Sequence, residues 1–492
     1  MVQTCGRCPA CAKERNGAGK GRRDRAPTIG VLRSGKRPVK YYLESLGCPK
    51  NLVDAHGMAR LLKGMGHQPV EDPAQAQVLI VNTCGFIEDA RAESIEELRE
   101  LAEEKRGDQV LIAAGCLSQR WGQALAELVP GIDALLGTLR WEEIGPLIEE
   151  LLDERGGRRE STLARLGDPL LLTGDDTHRV ARQGATAYLK IADGCSAPCA
   201  FCAIPLIKGP TASRPAEAIV ADATSLVDQG IKEIILIAQD TTAYGRDRGD
   251  GDALPGLVQA ILEEVPQEGL HWLRLMYAYP GHISPRMIEM MAGDPRVCHY
   301  LDLPLQHAHP DTLRRMRRPA NVKRVRRLIG DLRETMPDMA LRTSFIVGYP
   351  GETEQEFEAL VRFVAEIRFD RVGVFLYSEE EGTPAVTLPD RVPDEVKGER
   401  YDRLMALQQE ISRERNEAQV GRTMDVLVEG HGDGLSVGRS YRDAPEIDGM
   451  VLLPGDLPVG EMLPVRITEA IEYDLIGEVE RQTRRRRRKG PA

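Results

Sequence analysis

The chain has 492 residues, enough for about three domains; no apolar run approaches the ~18 residues of a membrane span, and no secretory pattern opens it. Its ten cysteines then predict thiols that serve metals or catalysis in a reducing cytoplasm rather than disulfides. The net charge of −11 hides +8 on residues 1–38 and +7 on residues 481–492, which leaves −26 on residues 39–480; a body that acidic repels phosphate backbones and attracts basic partners, although acidic surfaces also serve solubility.

Residues 1–38 are rich in Gly, Arg and Lys without apolar periodicity, and predict a disordered basic leader. They carry Cys5-x2-Cys8-x2-Cys11, read as incidental because no strand or helix frames the run and a fourth ligand is absent. Residues 39–152 alternate short apolar runs with helical patterns, which predicts an open parallel α/β sheet. Its strands are expected at Val39–Leu46, Val78–Asn82, Val110–Ala114 and Asp133–Leu136, with a helix over Glu88–Lys105. Three of these strands end in the same way, at Leu46-Gly47-Cys48, Thr83-Cys84-Gly85 and Ala114-Gly115-Cys116. Doubly wound sheets collect ligands outside the carboxyl ends of their strands. Glycine permits close backbone approach there, so Cys48, Cys84 and Cys116 are expected to converge on one point.

Residues 153–183 read as a polar linker. Residues 184–410 then repeat strand plus helix about six times, with strands at Ala187–Ile191, Glu233–Ala238, Trp272–Tyr277, Tyr300–Leu303, Leu341–Val347 and Arg371–Phe375. That pattern predicts a partial (β/α)6 barrel with its chemistry at the carboxyl ends of the strands. Directly after the first strand comes Cys195-Ser196-Ala197-Pro198-Cys199-Ala200-Phe201-Cys202, spaced C-x3-C-x2-C. Structural zinc takes four closed ligands, whereas iron–sulfur clusters are held by thiolates, normally four. Three thiolates would leave one iron open to another ligand; the competing readings are three small buried residues or part of a zinc knuckle. Gly348-Tyr349-Pro350-Gly351-Glu352, after the fifth strand, reads as an ordinary βα turn with a helix-starting Glu. Residues 411–415 finish a charged helix.

Short β-rich runs follow at Thr423–Val428, Val437–Ser440, Met450–Leu453, Met462–Ala470 and Leu475–Glu480, separated by Gly, Pro and Asp turns. They predict a small all-β barrel of the OB type over residues 411–480. Residues 416–480 hold fourteen Asp/Glu against four Arg, so a basic protein suits the barrel better than RNA. The Arg484–Lys489 run reads as a charged tail.

Three strand-end cysteines in an α/β domain, a C-x3-C-x2-C barrel and a small β module make a specific order that resembles the methylthiotransferases of the radical S-adenosylmethionine (SAM) superfamily. Asn82-Thr83-Cys84-Gly85-Phe86-Ile87, Gln239-Asp240-Thr241-Thr242-Ala243-Tyr244-Gly245 and Gly438-Arg439-Ser440-Tyr441-Arg442-Asp443-Ala444-Pro445-Glu446-Ile447-Asp448-Gly449 look like its ribosomal-protein branch. The resemblance implies an N-terminal methylthiotransferase domain, a radical SAM domain and a TRAM-like domain. It further implies that Cys195, Cys199 and Cys202 hold a 4Fe–4S cluster whose open iron binds SAM. One-electron cleavage of SAM then gives a radical that takes hydrogen from an aspartate β-carbon. Cys48, Cys84 and Cys116 would hold an auxiliary 4Fe–4S cluster that carries the sulfur, and a second SAM would supply the methyl group. The implied substrate is the twelfth protein of the small ribosomal subunit, with flavodoxin or ferredoxin as electron donor. A sister branch acts on a modified adenosine of tRNA, and a zinc-binding adaptor is the reading from another class. Phe201 could stack on the adenine of SAM or fill the core, and Gln239, with Asp240, could hydrogen-bond SAM or cap the strand end. His307 and His309 are read as hydrogen-bonding turn residues rather than ligands, and Cys298 as a buried structural thiol.

Overall fold

The structure, a computed structural model, describes residues 38–153, 162–167 and 179–480. Cys5, Cys8, Cys11 and the Arg484–Lys489 run lie outside the described residues, as does much of the expected linker. The chain divides into two compact units: residues up to Lys190 together with Ile204–Pro210, and Ile191–Ala203 together with the rest from Thr211.

The first unit is built on a parallel sheet of six strands: β1 (Lys40–Ser45), β2 (Gln68–Pro69), β3 (Val78–Thr83), β4 (Val110–Gly115), β5 (Ala134–Gly137) and β6 (Leu163–Arg165). Their order is β2-β1-β3-β4-β5-β6, every neighbouring pair parallel. Strands β3 and β4 are buried at every position, which is why Val78–Val81 and Val110–Ala114 read as unbroken apolar runs. One face packs Ile80, Ile112 and Leu136 beneath the helices Pro49–Gly64 and Ile144–Asp153. The other packs Leu79, Val81 and Leu111 beneath Glu88–Glu104 and Cys116–Trp121.

The expected linker is corrected at two places. Leu163–Arg165 adds the sixth strand beside β5, and Val180–Gln183 (β7) pairs antiparallel with Thr186–Lys190 (β8). Both are short, so neither offers enough periodicity to register as a strand.

In the second unit, β9 (Ala192–Asp193) and β10 (Ala212–Ser213) form a small antiparallel pair. The strands β11 (Glu233–Ile237), β12 (Trp272–Leu275), β13 (Val297–Asp302), β14 (Ala340–Val347) and β15 (Arg371–Leu376) run parallel, each beside the next. Helices follow in turn, including Ala216–Asp228, Ala253–Glu264, Val322–Thr335 and Glu354–Ile367. The last begins with a capping box: Thr353 accepts from the Glu356 amide while Glu356 accepts from that of Thr353. Cys298 lies inside β13 rather than before it, buried, with its thiol pushed up to about 12 by that burial. The helix Asp394–Glu417 leads to a closed barrel of β16 (Thr423–Gly432), β17 (Leu435–Ser440), β18 (Val451–Pro454), β19 (Met462–Ala470) and β20 (Leu475–Val479), filled by Val426, Val451, Leu453, Val465 and Ile467.

This barrel is joined to the parallel strands by buried ion pairs. Glu233 on β11 accepts from Arg274 on β12 at 2.7 Å and from Arg439 on β17 at 2.6 Å, and Arg439 also reaches Glu429 at 2.6 Å. Nearby, Arg371 pairs with Asp443, Arg442 with Asp370 and Arg342 with Asp302, the first two at 2.7 Å and the last at 2.9 Å. Desolvated charges in such numbers persist only where each is matched by a partner.

Candidate functional site: two sets of three thiols

In the first unit, Cys48, Cys84 and Cys116 follow the carboxyl ends of β1, β3 and β4, three adjacent strands of the sheet. Cys48 is the N-cap of Pro49–Gly64 and Cys116 the first residue of Cys116–Trp121. Glycine makes their approach possible. A Cβ on Gly47 (φ +87°) would stand 2.9 Å from the Cys84 sulfur, and one on Gly115 (φ +94°) 2.5 Å from Asn82 Oδ1. Asn51, on the helix Cys48 caps, ties the three strand ends together. Its Nδ2 donates to the Leu46 carbonyl at 3.1 Å and the Thr83 carbonyl at 2.9 Å, and its Oδ1 accepts from Cys116 Sγ at 3.3 Å. The Cys84 amide donates to Ser94 Oγ at 3.0 Å.

The three sulfurs feel one another. Burial, then the neighbouring Cys48 and Cys116, push the Cys84 thiol up to about 12; burial raises Cys116 to about 11 against the pull of Lys208. Burial keeps Cys84 and Cys116 in the thiol form, and together with Cys48, all free of disulfides, they form a donor set suited to a cation, which would hold them as thiolates.

In the second unit, Cys195, Cys199 and Cys202 are partly exposed on the loop between β9 and β10. Reciprocal bonds between Ser196 and Thr211 close the base of that loop, amide to hydroxyl at 3.1 and 3.0 Å. Ala200 pins its far side, donating to the Met316 carbonyl at 2.9 Å and accepting from the Ala385 amide at 2.8 Å. Arg318 lies 3.6 Å from the Cys199 sulfur and stacks on the Tyr279 ring, 4.3 Å from its centroid. Burial, Asp240 and Cys199 push Cys195 up to about 11, with Arg318 opposing them. Three thiols on one short loop with a guanidinium alongside likewise suit an iron–sulfur cluster with an open position.

Phe201 is half-buried against Ala200, Met316, Tyr349, Tyr377 and Ala385. Gln239 stands just past β11, its Oε1 buried with no hydrogen-bond partner among the described residues. Asp240 accepts from Thr242 at 2.6 Å and lies 2.9 Å from His282 Nδ1. His307 Nε2 lies 3.0 Å from Glu352, while the His309 ring caps the helix Pro310–Arg315. Glu352 does not start the following helix as expected. It is buried, bonded to the Gly348 amide, His307 and Arg400, and Thr353 takes the N-cap. Asn51 and Arg318 were missed from the sequence. Asn51 carried a usable signal, three residues beyond a strand-end cysteine and so one helical turn away; Arg318 joins its site only through the tertiary fold.

Family models match three stretches: the uncharacterized protein family UPF0004 at residues 40–137, the radical SAM superfamily at 189–364 and the TRAM domain at 420–479. A "Ribosomal protein uS12 methylthiotransferase RimO" from a Roseiflexus species is 49% identical over 461 residues, covering 90% of this chain and 97% of its own. The protein of the same name from Chloroflexus aurantiacus is 50% identical over 455 residues, 89% of this chain and 99% of that one. Among solved structures, the radical SAM methyltransferase TsrM from Kitasatospora setae aligns with a TM-score of 0.52 over 77% of this chain and 90% of its own. At 15% identity that likeness speaks for the fold alone.

Proposed function

The chain belongs to the RimO family of ribosomal protein uS12 methylthiotransferases, and we infer from this that it is a radical SAM enzyme that inserts a methylthio group at the β-carbon of an aspartate of uS12. In this reading Cys195, Cys199 and Cys202 hold one 4Fe–4S cluster and Cys48, Cys84 and Cys116 the other. When bound, these clusters and SAM supply one-electron cleavage of SAM, the sulfur and the methyl group.

The chain's own residues hold and orient. Gly47 leaves room for the backbone beside Cys84 and Gly115 beside Asn82 and Thr83, and Asn51 ties the three strand ends together. Arg318 places positive charge 3.6 Å from the Cys199 sulfur. Gln239, with an unmet acceptor beside the well-anchored Asp240, is a contact for SAM, and Phe201 borders the same loop. Residues 39–152 serve as the sulfur-delivering domain, 184–410 as the radical-generating domain and 411–480 as the TRAM-like domain. Residues 1–38, 153–183 and 481–492 flank or link them. The −10 charge of residues 416–480 suits a basic ribosomal protein. The electron donor is a small carrier of the flavodoxin or ferredoxin class, and the setting is the cytoplasm. Among the described residues no helix is long and apolar enough to cross a membrane.

The observation that carries this reading is the presence of two separate sets of three thiols. Anaerobic reconstitution tests it. Wild type should take up twice the iron and sulfide of either triple variant, Cys48/Cys84/Cys116→Ala or Cys195/Cys199/Cys202→Ala. Only the first variant should still cleave SAM, and neither should add mass to uS12. A colourless protein that holds zinc, or one cluster in the wild type, would end the assignment.

A further inference from the structure

Asp54 lies on the helix Pro49–Gly64, one turn beyond Asn51, and is 1% exposed. Its carboxylate accepts from Lys190 Nζ, from Lys208 Nζ at 3.0 Å and from Thr138 Oγ1 at 3.4 Å, and both lysines are as deeply buried. Taking such groups out of water costs several kcal/mol per ion, so stability alone does not account for the grouping.

The lysines come from informative places. Lys190 ends β8, five residues before Cys195. Lys208 ends the short helix Ile204–Lys208, which starts two residues after Cys202 yet belongs to the first unit. That helix packs against Cys116–Trp121. Asn51, one turn before Asp54 on the same helix, accepts from Cys116 Sγ at 3.3 Å.

We propose that Lys208 is a positioning residue for the sulfur-bearing centre: Asp54 holds its ammonium beside Cys116 as a fixed counter-charge to the thiolate-ligated iron. The inference rests on the reading that Cys48, Cys84 and Cys116 hold an iron–sulfur cluster. A cluster gains negative charge on reduction, so a cation locked nearby stabilises the reduced form. A unit charge acting across about 10 Å at an effective dielectric of about 20 would shift such a reduction equilibrium roughly tenfold. Arginine would keep the charge; methionine would keep the length of the chain and lose it.

The test uses the full chain with Cys195, Cys199 and Cys202 replaced by alanine, so that only the first trio loads. Iron content and an EPR-monitored redox titration are compared with and without Lys208→Met and Lys208→Arg. The expected result is unchanged iron, a reduced-to-oxidised ratio at fixed potential about tenfold lower in Lys208→Met, and recovery in Lys208→Arg. Loss of iron in Lys208→Met with retention in Lys208→Arg would support the same role. An unaltered titration in Lys208→Met, or equal damage in Lys208→Arg, overturns it. A parent that takes up no iron before any change at 208 refutes the cluster reading itself, and the inference with it.

Discussion

Replacing Glu233 by glutamine removes the shared anion of the Arg274–Glu233–Arg439 grouping while keeping its shape. The Glu233 side chain is fully buried. Burial alone would raise its pKa, but the guanidinium groups of Arg439 and Arg274 outweigh that and hold it down to about 2 against the usual 4.5. The difference corresponds to about 3 kcal/mol in favour of the ionised form. Removal of one partner from a buried pair costs a similar ~3–5 kcal/mol, so Glu233→Gln should destabilise the second unit by about 3 kcal/mol at pH 7. The sign with pH follows from the lowered pKa: the contribution is complete above about 4.5 and is lost as pH falls towards 2. Trp272 on β12 is the natural probe, since the Arg274 guanidinium lies 5.9 Å from its ring. With Trp121 and Trp141 changed to phenylalanine, fluorescence-monitored denaturation reads this unit alone, which matters because two units need not unfold together. A difference below about 1 kcal/mol at pH 7, or one that does not narrow between pH 6 and pH 3, would refute the reasoning.

Other substitutions address the thiol sites. Gly47→Ala, which would drive a methyl group to 2.7 Å from Cys84 Cβ at φ +87°, should empty the first trio of iron and spare SAM cleavage; iron analysis beside a 5′-deoxyadenosine assay separates the two. Asn51→Leu should lower loading of the same trio, because two strand-end carbonyls and the Cys116 thiol lose their shared partner; sulfide analysis after reconstitution measures it. Since Cys84 and Cys116 stand at about 12 and 11, ligation must expel their protons. Apparent Co(II) affinity of the apo chain should therefore climb from pH 7 to pH 9, by up to about tenfold per pH unit for each proton released, as followed by thiolate charge-transfer absorption.

The parallel strands were legible because a strand buried on both faces must be apolar throughout, as in Val78–Val81 and Leu111–Ala114. The two sets of cysteines stand out in the sequence for different reasons: Cys195, Cys199 and Cys202 by their spacing, and the other three by repeated Gly–Cys or Cys–Gly pairs at strand ends. Lys190, Asp54 and Lys208 were not, since buried lysines look like surface lysines until the fold folds water away from them. The Glu233–Arg439 contact was hidden for a similar reason, its partners lying far apart in sequence and each resembling an ordinary polar residue of a strand. Strands β6 and β7 escaped because they are three and four residues long.

The attachment of Cys48, Cys84 and Cys116 to three side-by-side strands has an evolutionary consequence. Lengthening or shortening a crossover on either face changes how far apart the cysteines lie along the gene without moving the place where their sulfurs gather. Spacing along the gene is therefore decoupled from the site in this domain, whereas Cys195, Cys199 and Cys202 share one loop, where any change in spacing acts on the site directly.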